Sequence, residues 1–113
     1  MRVLHIYKTY YHDTFGGIEQ VIHQLALGTG AYGVESDILT VTPKAQPVIL
    51  QRPEARVFRG KRSFEIASCP FSLSTARQFA KEHRNYDLLH YHFPWPFADM
   101  LHLGLQSKTP AIV

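Results

Sequence analysis

A chain of 113 residues with 45% apolar and 19% charged side chains fits one globular domain or part of one, and is too apolar to be a disordered polymer. A net charge of +3 permits an anionic partner but falls well short of a dedicated nucleic-acid binder. The single cysteine, Cys69, excludes an internal disulfide and has no partner at zinc spacing, so a reducing, cytoplasmic setting is expected. No apolar run reaches the length of a membrane span, and Met1 to Ile6 is too short and too soon interrupted for a signal peptide.

Arg2 to Tyr7 reads as a buried strand. A helix follows from Gly17 to about Leu27, with Ile18, Val21, Ile22 and Leu25 on one apolar face. Gly28, Gly30 and Gly33 are expected to end it and turn the chain. Asp37 to Thr42 is a second strand, closed by Pro43. The stretch from Lys44 to Ser72 is the least regular. Ala55 to Arg59 and Phe64 to Ala67 are candidate short strands, with a hairpin turning near Gly60. Ser72 or Ser74 caps a helix through about Arg84, with Leu73, Ala76, Phe79 and Ala80 facing inward. Asp87 to His92 is the next strand. Pro96 suits the first turn of another helix, whose apolar face is Phe97, Met100, Leu101 and Gly104.

Ala111-Ile112-Val113 begins a further strand. Three apolar residues opening a buried strand are a poor natural terminus, so a truncated domain is expected. Alternating strands and helices predict an α/β fold: a Rossmann-like, doubly wound, mostly parallel sheet over residues 1–113. Ligands of such sheets gather beyond the carboxyl ends of the strands. Lys8 to Gly17 and His90 to Trp95 both belong to that edge.

Four groups of residues there carry chemical meaning. Gly16 and Gly17 join a strand to a helix N-terminus, whose outward N–H groups and dipole favour an anion such as phosphate. The pair is not a dinucleotide fingerprint: G-x-G-x-x-G is absent, and Thr40-Val41-Thr42 offers no carboxylate for a ribose. There is no Walker lysine. His90 and His92 alternate onto one strand face, able to orient a hydroxyl or shuttle a proton. Two histidines with no nearby carboxylate or cysteine do not complete a metal site, so none is expected. Of the two, His92 is the better candidate for the cleft. Arg52, Arg56, Arg59, Lys61 and Arg62 form a basic run, either a solvated surface or a contact for anionic lipid head groups. Phe93-Pro94-Trp95-Pro96-Phe97 is either an aromatic platform for sugar or lipid, or a plug beneath the next helix.

Taken together, these segments resemble the N-terminal domain of glycosyltransferase family 4, also called group 1. The resemblance lies in Val3-Leu4-His5-Ile6-Tyr7-Lys8-Thr9-Tyr10-Tyr11 followed by Gly16-Gly17-Ile18-Glu19, and in Asp87-Leu88-Leu89-His90-Tyr91-His92-Phe93-Pro94. It spans nearly the whole chain, and the most similar members build lipopolysaccharide or other surface polysaccharides. The family implies the GT-B architecture, two Rossmann-like domains facing a cleft. It implies transfer of a sugar from a nucleotide-sugar donor to a lipid-linked or saccharide acceptor hydroxyl, with retention and without a bound metal or other cofactor. By this resemblance Gly16 and Gly17 approach the donor diphosphate or the cleft. Lys8 and His92 line the acceptor side. Arg56, Arg59, Lys61 and Arg62 dock the protein peripherally to the inner face of the cytoplasmic membrane. The C-terminal donor-binding domain lies outside this sequence, so the chain alone is expected to transfer no sugar.

A different class remains compatible with the same residues: a non-catalytic, flavodoxin-like module binding phosphate or nucleotide at the glycine loop. Dimerisation through an unfinished sheet edge is also compatible with the pattern. A phosphorelay receiver is not, because Asp13 falls in a loop and Asp87 begins a strand.

Overall fold

The computed structural model describes residues 1–8, 10, 16–42, 48–66, 69–92, 95–105 and 109–112. Thr9, Tyr11 to Phe15, Pro43 to Pro47, Ala67, Phe93-Pro94, Ser107 and Val113, on which parts of the above readings fall, lie outside the described residues. In chain order the elements are β1 (Arg2–Ile6), α1 (Gly17–Gly30), β2 (Glu35–Thr42), β3 (Val48–Gln51), β4 (Arg56–Lys61), β5 (Phe64–Ile66), β6 (Cys69–Phe71), α2 (Leu73–Glu82), a 3-10 turn (His83–Asn85), β7 (Leu88–Tyr91), α3 (Pro96–Leu105) and β8 (Ala111–Ile112). Six strands form one sheet in the order β3-β4-β2-β1-β7-β8, while β5 and β6 pair separately. Every neighbouring pair in the large sheet is parallel except the edge pair β3 and β4. This is the expected mostly parallel, doubly wound sheet.

Strand alternation divides the core into two faces. Ile38 of β2 and Val57 of β4 pack with Ile22 and Ala26 of α1, together with Tyr7 and Tyr10. On the other face Leu4, Ile6, Leu39, Val41, Leu89 and Tyr91 pack with Phe79 of α2 and with Trp95 and Ala98 at the start of α3. Trp95 is therefore core rather than an exposed platform. β1 sits between β2 and β7, and the helices change faces there. The β1/β7 junction is the topological switch point, where doubly wound sheets form their ligand crevice.

Several local expectations are corrected. α1 runs through Gly28 and Gly30, and the turn is made at Gly33, whose φ of 81° suits glycine. Its buried stripe is Glu19, Ile22 and Ala26, whereas Val21 is 49% exposed. Tyr7 and Tyr10 share this face, so only the strip centred on Ile22 is fully covered. Leu73 and Met100 are likewise exposed, and Thr75, Phe79 and Ala98 are the buried helix positions.

No hairpin turns at Gly60. β4 continues straight through it, parallel to β2 and antiparallel to β3, while β5 pairs with β6. The glycine is there for close packing. A Cβ would collide with the Thr75 side chain and come within 2.7 Å of the Thr75 amide nitrogen. α2 lies this near because Ser72 caps it, accepting from the Thr75 N–H at 3.1 Å, and donates to the Lys61 carbonyl at 2.6 Å. The Thr75 hydroxyl donates to the Thr40 carbonyl at 3.0 Å, completing the weld.

Candidate functional site

Two features converge at the carboxyl ends of β1 and β7, and a third ties the loop leaving β1 back towards the start of β4. The first is the helix N-terminus. Gly16 is the N-cap of α1 and its N–H donates to Glu19 Oε2 at 3.1 Å. The buried Glu19 carboxylate thus already sits on the expected anion site, one helical turn in, where the dipole favours it. Burial first, and the Glu19 charge second, raise the pKa of the Tyr7 phenol and disfavour its ionisation. Gly16 is close-fitted to this arrangement, since a Cβ would approach Glu19 Oε2 to 3.0 Å, whereas Gly17 faces open space. Glu19 is one of the site residues absent from the sequence-based candidates. Its signal was a carboxylate three residues after the cap.

The second feature is a cluster of three histidines. β1 and β7 pair in register with His5 opposite His90. Just past β7, the His92 N–H donates to the Ile6 carbonyl at 2.9 Å, which holds His92 on the same face. His5 Nδ1 and His92 Nε2 stand 3.0 Å apart, sharing one hydrogen. The His90 ring stacks on that of His92 with centroids 4.0 Å apart. His5 and His92 are buried and His90 is half-buried. Burial, reinforced by repulsion from His90, lowers His5 to about 4; burial, with His90 and His5, lowers His92 to about 3. Burial also lowers His90. All three rings are neutral near neutral pH and present lone pairs. His90 and His92 were expected to share a face. The third member, His5, was not foreseen, and the more open ring is His90 rather than His92.

The third feature anchors the loop leaving β1. Tyr10 is fully buried and reaches back over the α1 face, where its hydroxyl donates to Glu54 Oε2 at 2.7 Å. The same oxygen accepts from Arg52 Nε at 2.7 Å and from His23 Nδ1 at 2.9 Å. Burial pushes the Glu54 carboxyl up, but these hydrogen bonds outweigh it and hold the group at about 2. One buried charge therefore ties the loop, the middle of α1 and the start of β4 together.

The remaining predicted residues fall in different places. Lys8 is half-buried just beyond β1. The basic run does not form one face. Arg56 is at the amino edge, 3.0 Å from Asp37 Oδ2, which also accepts from the Tyr86 hydroxyl at 2.6 Å and lies 3.4 Å from Arg2. Arg59 is buried within β4, and only Lys61 and Arg62 are exposed together near the carboxyl edge. An open hollow lined by Arg2, Asp37 and Arg56 lies at the amino edge, at the opposite end of the strands from the histidines and the glycine pair.

A mostly parallel sheet with a glycine-capped helix at its central switch point defines a Rossmann-like domain. It superposes on sucrose-phosphate synthase from Thermosynechococcus elongatus with a TM-score of 0.57 at 16% identity, covering 97% of this chain and 31% of that one. Residues 15–113 match glycosyltransferase family 4, and the chain belongs to that family. It is 47% identical over its full length to the O-antigen chain mannosyltransferase C of Escherichia coli. It is 41% identical to the D-rhamnosyltransferase WbpZ of Pseudomonas aeruginosa. It spans 30% of the length of each. Among the described residues, no helix is long and apolar enough to cross a membrane.

Proposed function

We propose that this chain is the N-terminal, acceptor-side domain of a retaining glycosyltransferase. The enzyme moves a hexosyl or deoxyhexosyl group from a nucleotide sugar to a saccharide or lipid-linked acceptor hydroxyl, in lipopolysaccharide or surface polysaccharide synthesis. The observation that carries this reading is similarity along the whole of this chain to 30% of a mannosyltransferase and of a rhamnosyltransferase, combined with a glycine-capped helix at the switch point of the sheet. Among the described residues nothing lies within 4 Å of a Cβ added at Gly17, which leaves room for a diphosphate there. Glu19 occupies the Gly16 N–H, so an anion binding at Gly16 displaces a carboxylate, while one at Gly17 need not.

Lys8, with the histidine cluster that contains His92, borders the acceptor side. Transfer itself uses no metal: cations and oriented N–H groups stabilise the departing nucleoside diphosphate. Most of those groups belong to a second, donor-binding domain, so this domain alone is inactive. Lys61 and Arg62 supply an exposed cationic contact for the inner face of the cytoplasmic membrane.

The test compares the chain alone with a protein that joins it to a donor-binding domain of the same family. Each is given radiolabelled mannose or D-rhamnose in nucleotide-linked form and a lipid-linked acceptor. The expected result is transfer by the joined protein only, lost when Gly17→Leu fills the open space. Steady turnover by the chain alone overturns the division of labour. Failure of the joined protein with either sugar overturns the assignment of donor class.

A further inference from the structure

We propose that His5, His90 and His92 form a coordination site for a divalent transition-metal ion of the zinc class. The backbone itself dictates the arrangement. Residues two apart on a strand project from one face, so His90 and His92 point the same way. Parallel pairing then sets His5 of the adjacent strand directly opposite His90. His90 of β7 and His92 just past it converge with His5 of β1, His92 being held in line by its N–H bond to the Ile6 carbonyl.

One nitrogen of each ring lies within 4.8 Å of the others. Histidine nitrogens bind Zn2+ at ~2.0–2.1 Å, which places the ligands of a tetrahedral ion roughly 3.3 Å apart. His5 Nδ1 and His92 Nε2, at 3.0 Å, are near that spacing already. Rotation of the half-exposed His90 ring brings the third nitrogen in. An ion replacing the hydrogen shared by His5 and His92 requires only that the donor ring carry its proton on its other nitrogen. Among the described residues the cluster holds three imidazoles and no carboxylate or thiolate. Such a donor set suits Zn2+, Co2+, Ni2+ or Cu2+ rather than Mg2+ or Ca2+. The open side of His90 leaves a fourth position for water. The ion braces β1 against β7 at the switch point and takes no part in sugar transfer.

The site is tested by isothermal titration of the chain with ZnCl2 and by the visible absorption of added Co2+. The expected result is one ion per chain, a four-coordinate Co2+ spectrum, and affinity at least ~100-fold lower in His5→Ala, His90→Ala and His92→Ala. His102→Ala, on α3 against Tyr91, is expected to bind as the unaltered chain does. Removal of a buried ring can unsettle the sheet, so the half-exposed His90→Ala is the decisive variant, its fold checked by circular dichroism. Zn2+ is expected to raise the Tm of the unaltered chain and not that of His90→Ala. No uptake at millimolar Zn2+, a six-coordinate Co2+ spectrum, undiminished binding by folded His90→Ala, or equal loss in His102→Ala each overturns the site.

Discussion

The two edges of the central sheet gather polar side chains in opposite ways. At the amino edge Asp37 is surrounded by Arg2, Arg56 and Tyr86, and nearby Glu54 receives three donors on one oxygen. There charge is matched by charge. At the carboxyl edge, beside the Glu19 carboxylate on the helix cap, three neutral imidazoles face one another. A buried carboxylate held by several donors has its bonding capacity committed and acts as a structural tie. Neutral nitrogens sharing one hydrogen keep lone pairs that a ligand can claim. The amino edge therefore holds the domain together, while the carboxyl edge keeps nitrogen lone pairs that a ligand can reach.

Breaking the Glu54 tie is expected to have the largest effect. Glu54→Leu removes the acceptor shared by part-buried Arg52 and His23 and by the buried Tyr10 hydroxyl, and is expected to destabilise the chain by ~2–4 kcal/mol. Urea denaturation measures this. A loss below ~1 kcal/mol would mean that water satisfies the three donors and that the tie is not structural.

The same group imposes a pH dependence of defined sign. Its carboxyl is held at about 2 against an ordinary 4.5. A folded-state value below the unfolded one stabilises the fold fully above pH 4.5, and that contribution disappears as pH falls towards about 2. Denaturation of the unaltered chain and of Glu54→Gln across this range isolates the effect from other titrating groups. The gap between them is expected to be constant above about pH 5 and to shrink by about 3 kcal/mol in acid. A gap that stays constant into strong acid contradicts the depressed ionisation.

Asp37 offers the contrast within the amino edge. Its side chain retains 17% exposure and its arginine partners retain 41% and 45%, so water screens the pairs. Asp37→Ala is expected to cost only ~1–2 kcal/mol, chiefly through the lost Tyr86 hydrogen bond. A Tyr86→Phe variant should account for most of that loss. If it does not, the arginine pairs matter more than their exposure implies.

The sequence displayed these two edges unequally, for physical reasons. β1, α1, β2 and β7 carry regular alternation or helical spacing, so the parallel sheet and its ligand edge are legible. β3 and β6 are short strands in a proline-broken stretch, with too few residues to show a period, and Pro70 lies within β6. Gly60 looks like a turn residue unless one knows that Thr75 presses on it. His90 and His92 announce their shared face by spacing alone. His5 does not, because its place beside His92 depends on a strand pairing 87 residues apart in sequence. Burial of Arg59 is likewise a consequence of β4 lying inside the sheet, which a run of basic residues conceals.

The smallest effects separate the two ends of α1, one at each edge. At the carboxyl edge Gly16 fits closely against the Glu19 carboxylate. Gly16→Ala must push that side chain away or loosen the cap, and is expected to destabilise by ~0.5–1 kcal/mol. Near the other end, Gly28 lies within the helix with nothing inside 4 Å of an added Cβ. Gly28→Ala is expected to stabilise by ~0.5–1 kcal/mol, because alanine loses less backbone entropy and fits a helical φ without contact. Thermal denaturation of both variants distinguishes a glycine required by its neighbours from one that is merely tolerated. A destabilising Gly28→Ala would mean that α1 ends before Gly28, and opposite signs at the two ends would confirm that the close fit belongs to the carboxyl edge.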